Sequence, residues 1–184
     1  EQTDAFLALN GFDTNVNWIT LNGDVQSTLY HVPNENECMT CHQSNSVIIP
    51  IGPNLRNLNR DVIRNDNRSN QITYLQSEGL LSDFPVSEVS TIVDYKNNHA
   101  SLEDRARAYL DMNCAHCHNP GGWQKANERR FDFRYELPLN QTGIPYKEEK
   151  VARVLLNGKM PFIGTTMLHE DGIDLIIAYL SNLE

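Results

Sequence analysis

The 184-residue sequence has no uninterrupted apolar run approaching roughly 18 residues, the length at which a membrane-spanning helix becomes feasible. Basic residues are also scarce, since 15 lysines and arginines face 24 acidic residues and leave a formal net charge of −9. This balance disfavours binding to nucleic acids and to anionic lipid surfaces. The first residues carry no charged-then-apolar targeting segment, so we expect that any signal peptide has been removed.

Cysteine is equally sparse, with four residues whose placement is informative. They form two pairs, each followed by a histidine, in the segments Cys38-Met39-Thr40-Cys41-His42 and Cys114-Ala115-His116-Cys117-His118. CxxCH is the attachment signal for c-type haem, in which the thiols bond the vinyl groups and the next histidine binds the iron. The sequence therefore predicts two covalently attached haem c groups, with four attachment cysteines and His42 and His118 as iron ligands.

Other uses of the cysteines fit less well. A four-cysteine zinc site commonly separates its CxxC pairs by about 15 to 20 residues, whereas 72 residues lie between Cys41 and Cys114. Zinc also gives no reason for a histidine after each pair. A redox-active dithiol needs one CxxC near a strand-helix-strand pattern, and structural disulfides would have to pair across the molecule.

The two motifs start 76 residues apart, which predicts two haem-binding units in tandem. The expected units are residues 1–99 and 100–184. Residues 1–99 carry 5 basic and 12 acidic side chains, a net of −7, whereas residues 100–184 carry 10 and 12, a net of −2. We therefore expect a redox partner with a basic docking surface, near the first haem.

Apolar periodicity in the second unit predicts helices at about 102–116, 147–157 and 172–183. Ser101 suits the N-cap of the first of these helices, and Gly158 follows the second. The alternation around Phe131 and Phe133 indicates a short extended piece.

The first unit is less regular. Val16 to Tyr30 alternates around Asn22-Gly23, which predicts a hairpin. We further expect a short helix around Cys38 to His42, a loop over 48–58, and helices at 70–81 and 87–95.

The order of elements after residue 100 resembles that of class I cytochromes c. It consists of a helix ending in CxxCH, a long loop, a helix ending in glycine, a Met-Pro pair and a final helix. The resemblance implies that Met160, in Asn157-Gly158-Lys159-Met160-Pro161, is the sixth iron ligand of the second haem. Met167 is the reserve candidate. It also implies packing between Tyr109 and Tyr179 where the terminal helices cross.

Residues 28–184 resemble a group of bacterial dihaem cytochromes c. The shared segments are Tyr30-His31-Val32-Pro33, the run Arg105 to Leu110, Asn113 to His118, and Met160-Pro161. Together with the class I pattern after residue 100, this resemblance implies a mainly α chain of two cytochrome c-like helical haem units with long loops, to which the predicted hairpin adds a short N-terminal β-hairpin. It also implies a periplasmic or cell-surface protein that carries electrons between redox partners and is not an enzyme.

The sixth ligand of the first haem is not evident, because residues 43–99 contain no methionine. His99, His31 and His116 are candidates, and an open sixth position is the alternative. An open position would favour a small haem peroxidase or a sensor of diatomic ligands, both of which need five-coordinate iron. Gly52-Pro53 resembles the class I segment whose proline carbonyl receives the N–H of the proximal histidine; a plain turn is the other interpretation.

Overall fold

A computed structural model describes residues 4, 7–127, 130–163, 165 and 167–183. Within those ranges, every helix is too short or too polar to traverse a bilayer.

An antiparallel hairpin opens the described chain. Strand β1 covers Phe12–Ile19 and β2 covers Val25–Val32, with a register that pairs Phe12 with Val32 and Ile19 with Val25. Gly23 in the connecting turn has φ +89°, a conformation that glycine adopts without steric cost. The hairpin predicted around Asn22-Gly23 is confirmed, with strands that extend beyond the alternating segment.

The first CxxCH motif ends a short helix. Helix α1 covers Glu35–Cys41 and begins with a capping box, in which the Asn34 side chain accepts from the Glu37 N–H and the Glu37 carboxylate accepts from the Asn34 N–H. Strands β3 (Gln43–Ser44) and β4 (Val47–Ile48) follow as a small hairpin. Helix α2 (Leu55–Leu58) lies inside the segment expected to be a loop.

A third hairpin and a helix complete the part before residue 100. Strands β5 (Asp61–Arg64) and β6 (Asn67–Asn70) are joined by Asn65 and Asp66, both at positive φ. Helix α3 covers Gln71–Ser77, within the helix predicted over 70–81. The helix predicted over 87–95 is wrong: a single 3₁₀ turn, Val86–Glu88, stands there, because the β-branched residues that follow disfavour a helix.

Three of the four remaining α-helices in the described chain were predicted. Helix α4 covers Leu102–Asn113, α5 covers Gln124–Asn127, α6 covers Glu148–Leu156 and α7 covers Glu170–Leu180. Helices α4, α6 and α7 were predicted, whereas α5 was not. The Ser101 side chain accepts from the Asp104 N–H, so the predicted N-cap of α4 is confirmed. Gly158 stands two residues after α6 at φ +68°, the left-handed conformation common after helices.

One apolar core forms where α4, α6 and α7 meet. Its buried residues, including Leu110, Ile144, Val151 and Ile176, all lie between positions 106 and 180. Before residue 100, Ile72 is the single buried apolar residue among those described. Helices α4 and α7 cross with the Tyr109 ring against Gly172. Tyr109 makes ring contacts with Tyr95 and His169 instead of the expected contact with Tyr179.

The prediction of a mainly α chain built from two cytochrome c-like helical units is wrong. Of the described residues, 36% are in helices and 16% in strands, with seven α-helices and three two-stranded sheets. All three sheets lie before residue 71. Turn-forming pairs and β-branched residues dominate that part of the chain, whereas the apolar stripes with helical spacing lie after residue 100.

Candidate haem site

The second CxxCH motif continues directly from α4. The N–H of Cys114 donates to the carbonyl of Leu110 (2.9 Å), and the N–H of His118 donates to that of Cys114 (2.9 Å). The motif therefore forms one further turn, which brings Cys114, Cys117 and His118 to the same cavity. Burial raises the pKa of the Cys114 thiol to about 12.

His118 is a buried imidazole in contact with two aromatic rings. Its ring centroid lies 4.9 Å from that of Phe133 and 6.1 Å from that of Phe131. Burial lowers the pKa of His118 to about 4, so the neutral ring keeps a lone pair at neutral pH. Its Nδ1 atom is buried and has no hydrogen-bond partner in the described part of the chain. A buried polar atom without a partner is unusual in a folded protein.

The cavity beside His118 has a volume of about 270 Å³ and is predominantly apolar. Val151, Val154 and Leu155 of α6 line one side. Met160 lines the cavity together with Cys114, Cys117 and His118. Thus the structure brings the predicted iron ligands His118 and Met160 to one cavity. Met167, by contrast, is 54% exposed and does not belong to this lining.

This donor set fits a covalently bound haem. Two thiols one turn apart match the vinyl groups, a neutral imidazole and a thioether are known axial ligands of haem iron, and the apolar walls suit a porphyrin.

The first motif lies in a more open environment. His42 is exposed, and its Nδ1 lies 3.3 Å from the carbonyl oxygen of Ile49. The resemblance at Gly52-Pro53 implied the carbonyl of Pro53 as the acceptor, so the partner differs from the implied one. A cluster of exposed apolar side chains follows the motif, formed by Val47, Ile48, Ile49, Ile51 and Leu55.

The three candidate sixth ligands of the first haem have different surroundings. Both nitrogens of His31 are occupied, since Nδ1 lies 2.7 Å from Asp13 Oδ1 and Nε2 lies 2.9 Å from Glu37 Oε2. His99 is exposed in the turn before α4. His116 is half-buried beside Cys41, and its Nδ1 is buried without a hydrogen-bond partner among the described atoms.

The two CxxCH motifs touch each other. The sulfurs of Cys41 and Cys117 are 3.6 Å apart, and donor atoms of Cys41, Cys117 and His116 all lie within 4.8 Å of one another. Hydrogen bonds from Cys117 and His116 lower the pKa of the Cys41 thiol to about 5. The bond that Cys117 donates to Cys41 raises the pKa of Cys117 in turn.

Two pairs of aromatic residues at the site were not identified as site residues from the sequence. Phe131 and Phe133 flank His118, and the alternation Phe-Asp-Phe was their signal, although the segment joins none of the described sheets. Trp123 and Phe162 stack at 5.0 Å and both line the cavity. Nothing local in the sequence predicts the second pair, because 38 residues separate its members.

Comparison with known proteins agrees with this site. Residues 100–180 match the family model of subunit III of cbb3-type cytochrome c oxidase. No curated protein and no solved structure matches the chain. A cytochrome c domain of this kind fits an extracytoplasmic protein and suggests redox partners. The similarity, which includes the second CxxCH motif and the cavity that it lines, supports a c-type cytochrome with an electron-transfer role and covalently bound haem c.

Proposed function

We propose that this chain is a dihaem c-type cytochrome that passes electrons between redox proteins outside the cytoplasm of a bacterium. Its two haem units are residues 1–99 and 100–184. The cofactor-binding residues of the proposal are Cys38, Cys41 and His42 for the first haem, and Cys114, Cys117, His118 and Met160 for the second.

The observation that carries the proposal is the single cavity shared by the second motif and Met160. Bound haem supplies an iron that changes its oxidation state by one electron. His118 offers a neutral imidazole whose orientation is fixed by Phe131 and Phe133. Met160 offers a thioether, and a His/Met ligand pair raises the potential of a haem. The apolar wall from α6 excludes water, which also tunes the potential.

The first motif offers a more exposed site for the first haem. Cys38 is exposed, and Cys41 precedes an exposed His42 whose Nδ1 faces the Ile49 carbonyl. This contact orients the imidazole, as second-shell bonds do for metal-bound histidines. A haem attached here would cover exposed apolar side chains after the motif, which would otherwise remain in contact with water.

The charge distribution supports a basic redox partner. Residues 1–99 carry a net charge of −7 and include the more exposed motif. An acidic surface near an exposed haem accelerates encounter with a basic partner, because opposite charges steer the two proteins together. We therefore propose that such a partner docks at the first unit.

The haem stoichiometry is the first test. Pyridine haemochrome absorbance and intact mass of the mature protein should give two covalent haems per chain. The double variant Cys38→Ala/Cys41→Ala should retain only the haem of the second motif. Cys114→Ala/Cys117→Ala should retain only the haem of the first motif. One haem per wild-type chain would refute the dihaem proposal and leave the C-terminal site intact.

The axial ligand of the second haem is tested separately. Oxidised protein should show a near-infrared band of Met-to-iron charge transfer that disappears in Met160→Ala, with a lower potential. Met167→Ala is the matched control, since Met167 is exposed and outside the cavity, and it should keep the band. Retention of the band in Met160→Ala would contradict the assignment.

The exposed position of His42 favours an alternative to the pure electron carrier. If the first haem has an open sixth position, the protein is a small peroxidase or a sensor of diatomic ligands. A high-spin EPR signal of one haem per chain, with rapid cyanide binding, would support this alternative over the pure carrier. A fully low-spin spectrum without cyanide binding would exclude it.

A further inference from the structure

The two CxxCH motifs meet at equivalent positions. Cys41 and Cys117 are each the second cysteine of their motif, and their sulfurs are 3.6 Å apart. The Cys117 sulfur also lies 3.5 Å from the carbonyl oxygen of Thr40. Each of these sulfurs would form a thioether bond to the haem of its own motif, so the contact would join the two points of attachment.

A backbone hydrogen bond between the segments that follow the two motifs supports this arrangement. The N–H of Asn45, four residues after Cys41, donates to the carbonyl of Gly121 (2.7 Å). A Cβ atom at Gly121 would lie 3.1 Å from Ser44 Oγ and 3.3 Å from Asn45 Nδ2, so glycine permits the close approach.

A buried ion pair adds a third contact between the same two parts of the chain. Arg56 Nη2 lies 2.7 Å from Asp111 Oδ1, and the Asp111 side chain is 1% exposed. Arg56 follows the first motif and Asp111 precedes the second. Three independent contacts therefore fix the position of one motif against the other, so the approach of Cys41 and Cys117 does not depend on those side chains alone.

His116 fills the remaining side of the contact. A nitrogen of its ring lies within 4.8 Å of both sulfurs, and the side chain is half-buried.

We propose that the Cys41–Cys117 contact is the direct electron path between the two haems. This inference rests on the proposed dihaem function. With both haems bound, Cys41 and Cys117 would conduct a single electron, so that one haem iron would be oxidised and the other reduced while no proton or atom moves. The redox partners supply and remove the electron, so one haem can serve as the entry point and the other as the exit.

The wild-type protein provides the main test. After two haems per chain have been confirmed, EPR spectra are recorded for the fully oxidised protein and at successive stages of reduction. We expect the signal of the haem that remains oxidised to sharpen when its neighbour becomes ferrous and diamagnetic, because the magnetic coupling is lost. Signals that simply add at every stage would overturn the inference while leaving the dihaem proposal in place.

Substitutions at two separate glycines test whether the magnetic coupling depends on the contact between the two motifs. Gly121→Leu introduces a side chain between the two motif segments, and we expect it to weaken the coupling. Gly52→Leu is the matched control, since no atom lies within 4 Å of a Cβ at that position, and it should keep wild-type coupling. Equal coupling in both variants and the wild type would show that the haems meet elsewhere.

Discussion

Tyr109 of α4 lies directly against the backbone of α7 at Gly172. A Cβ atom at Gly172 would overlap both Tyr109 Cζ and the phenolic oxygen. The Tyr109 hydroxyl also lies 2.9 Å from His169 Nδ1, at the start of α7. The crossing of the two helices therefore depends on the absence of a side chain at one position.

Gly172→Ala should destabilise the protein by about 1–3 kcal/mol, because the added methyl group overlaps the Tyr109 ring and the helices must separate. Chemical denaturation of the haem-loaded protein measures the change. In a Tyr109→Leu background the same substitution should cost less, since the colliding ring has been removed. An equal cost in both backgrounds would place the clash elsewhere.

Arg56→Met should cost about 3–5 kcal/mol, because it leaves the buried Asp111 carboxylate without its cation. Arg68 is the control, since it pairs with Asp61 on the surface at 3.0 Å and is 73% exposed, and Arg68→Met should cost no more than about 1 kcal/mol. Adding Asp111→Leu to Arg56→Met should recover part of the loss. Equal small losses for both arginine variants would contradict the role of the buried pair.

His31 should titrate above its usual pKa of 6.5, because hydrogen bonds to Asp13 and Glu37 stabilise the charged ring. A raised pKa means that this contribution to stability is fully present below pH 6.5 and is lost as the pH rises through the folded-state pKa. NMR titration of the imidazole resonances measures it. Asp13→Asn should lower the pKa of His31, whereas Asp61→Asn, on a different hairpin, should leave it unchanged.

Asn70→Ala should cost about 1 kcal/mol, because the Asn70 side chain accepts from the N–H groups of Ile72 and Thr73 at the start of α3. Asn54 occupies the same position before α2 but makes no side-chain capping bond. Asn54→Ala should therefore change the free energy of unfolding by much less. If the two substitutions cost the same in denaturation experiments, capping does not explain the stability of α3.

Local signals predicted the elements whose formation depends on near neighbours. Asn22-Gly23 between alternating segments predicted the first hairpin, and Ser101 with the stripe that follows predicted α4. The helix expected over 87–95 does not form, because its β-branched residues disfavour a helix. The predicted fold class is wrong because the helical periodicity is concentrated after residue 100, whereas the earlier residues form three small sheets.

The candidate site divides in a similar way. The cysteines and histidines of both motifs stand at fixed spacing, so the attachment residues could be named from the sequence. The rings that flank His118 and the carbonyl that faces His42 depend on how distant segments pack. Tyr109 was expected to meet Tyr179, but the position of the crossing places it against Gly172.

The sequence by itself determined the two CxxCH motifs, the excess of acidic residues and the helices after residue 100, because each depends on composition or on spacing along the chain. Only the tertiary structure decided that Cys41 lies 3.6 Å from Cys117 and that His118 and Met160 share one cavity. Cys41 and Cys117 are 76 positions apart in the sequence, and His118 and Met160 are 42 positions apart. No local pattern encodes such contacts, since they arise from the packing of the motifs against each other and of α6 against the core.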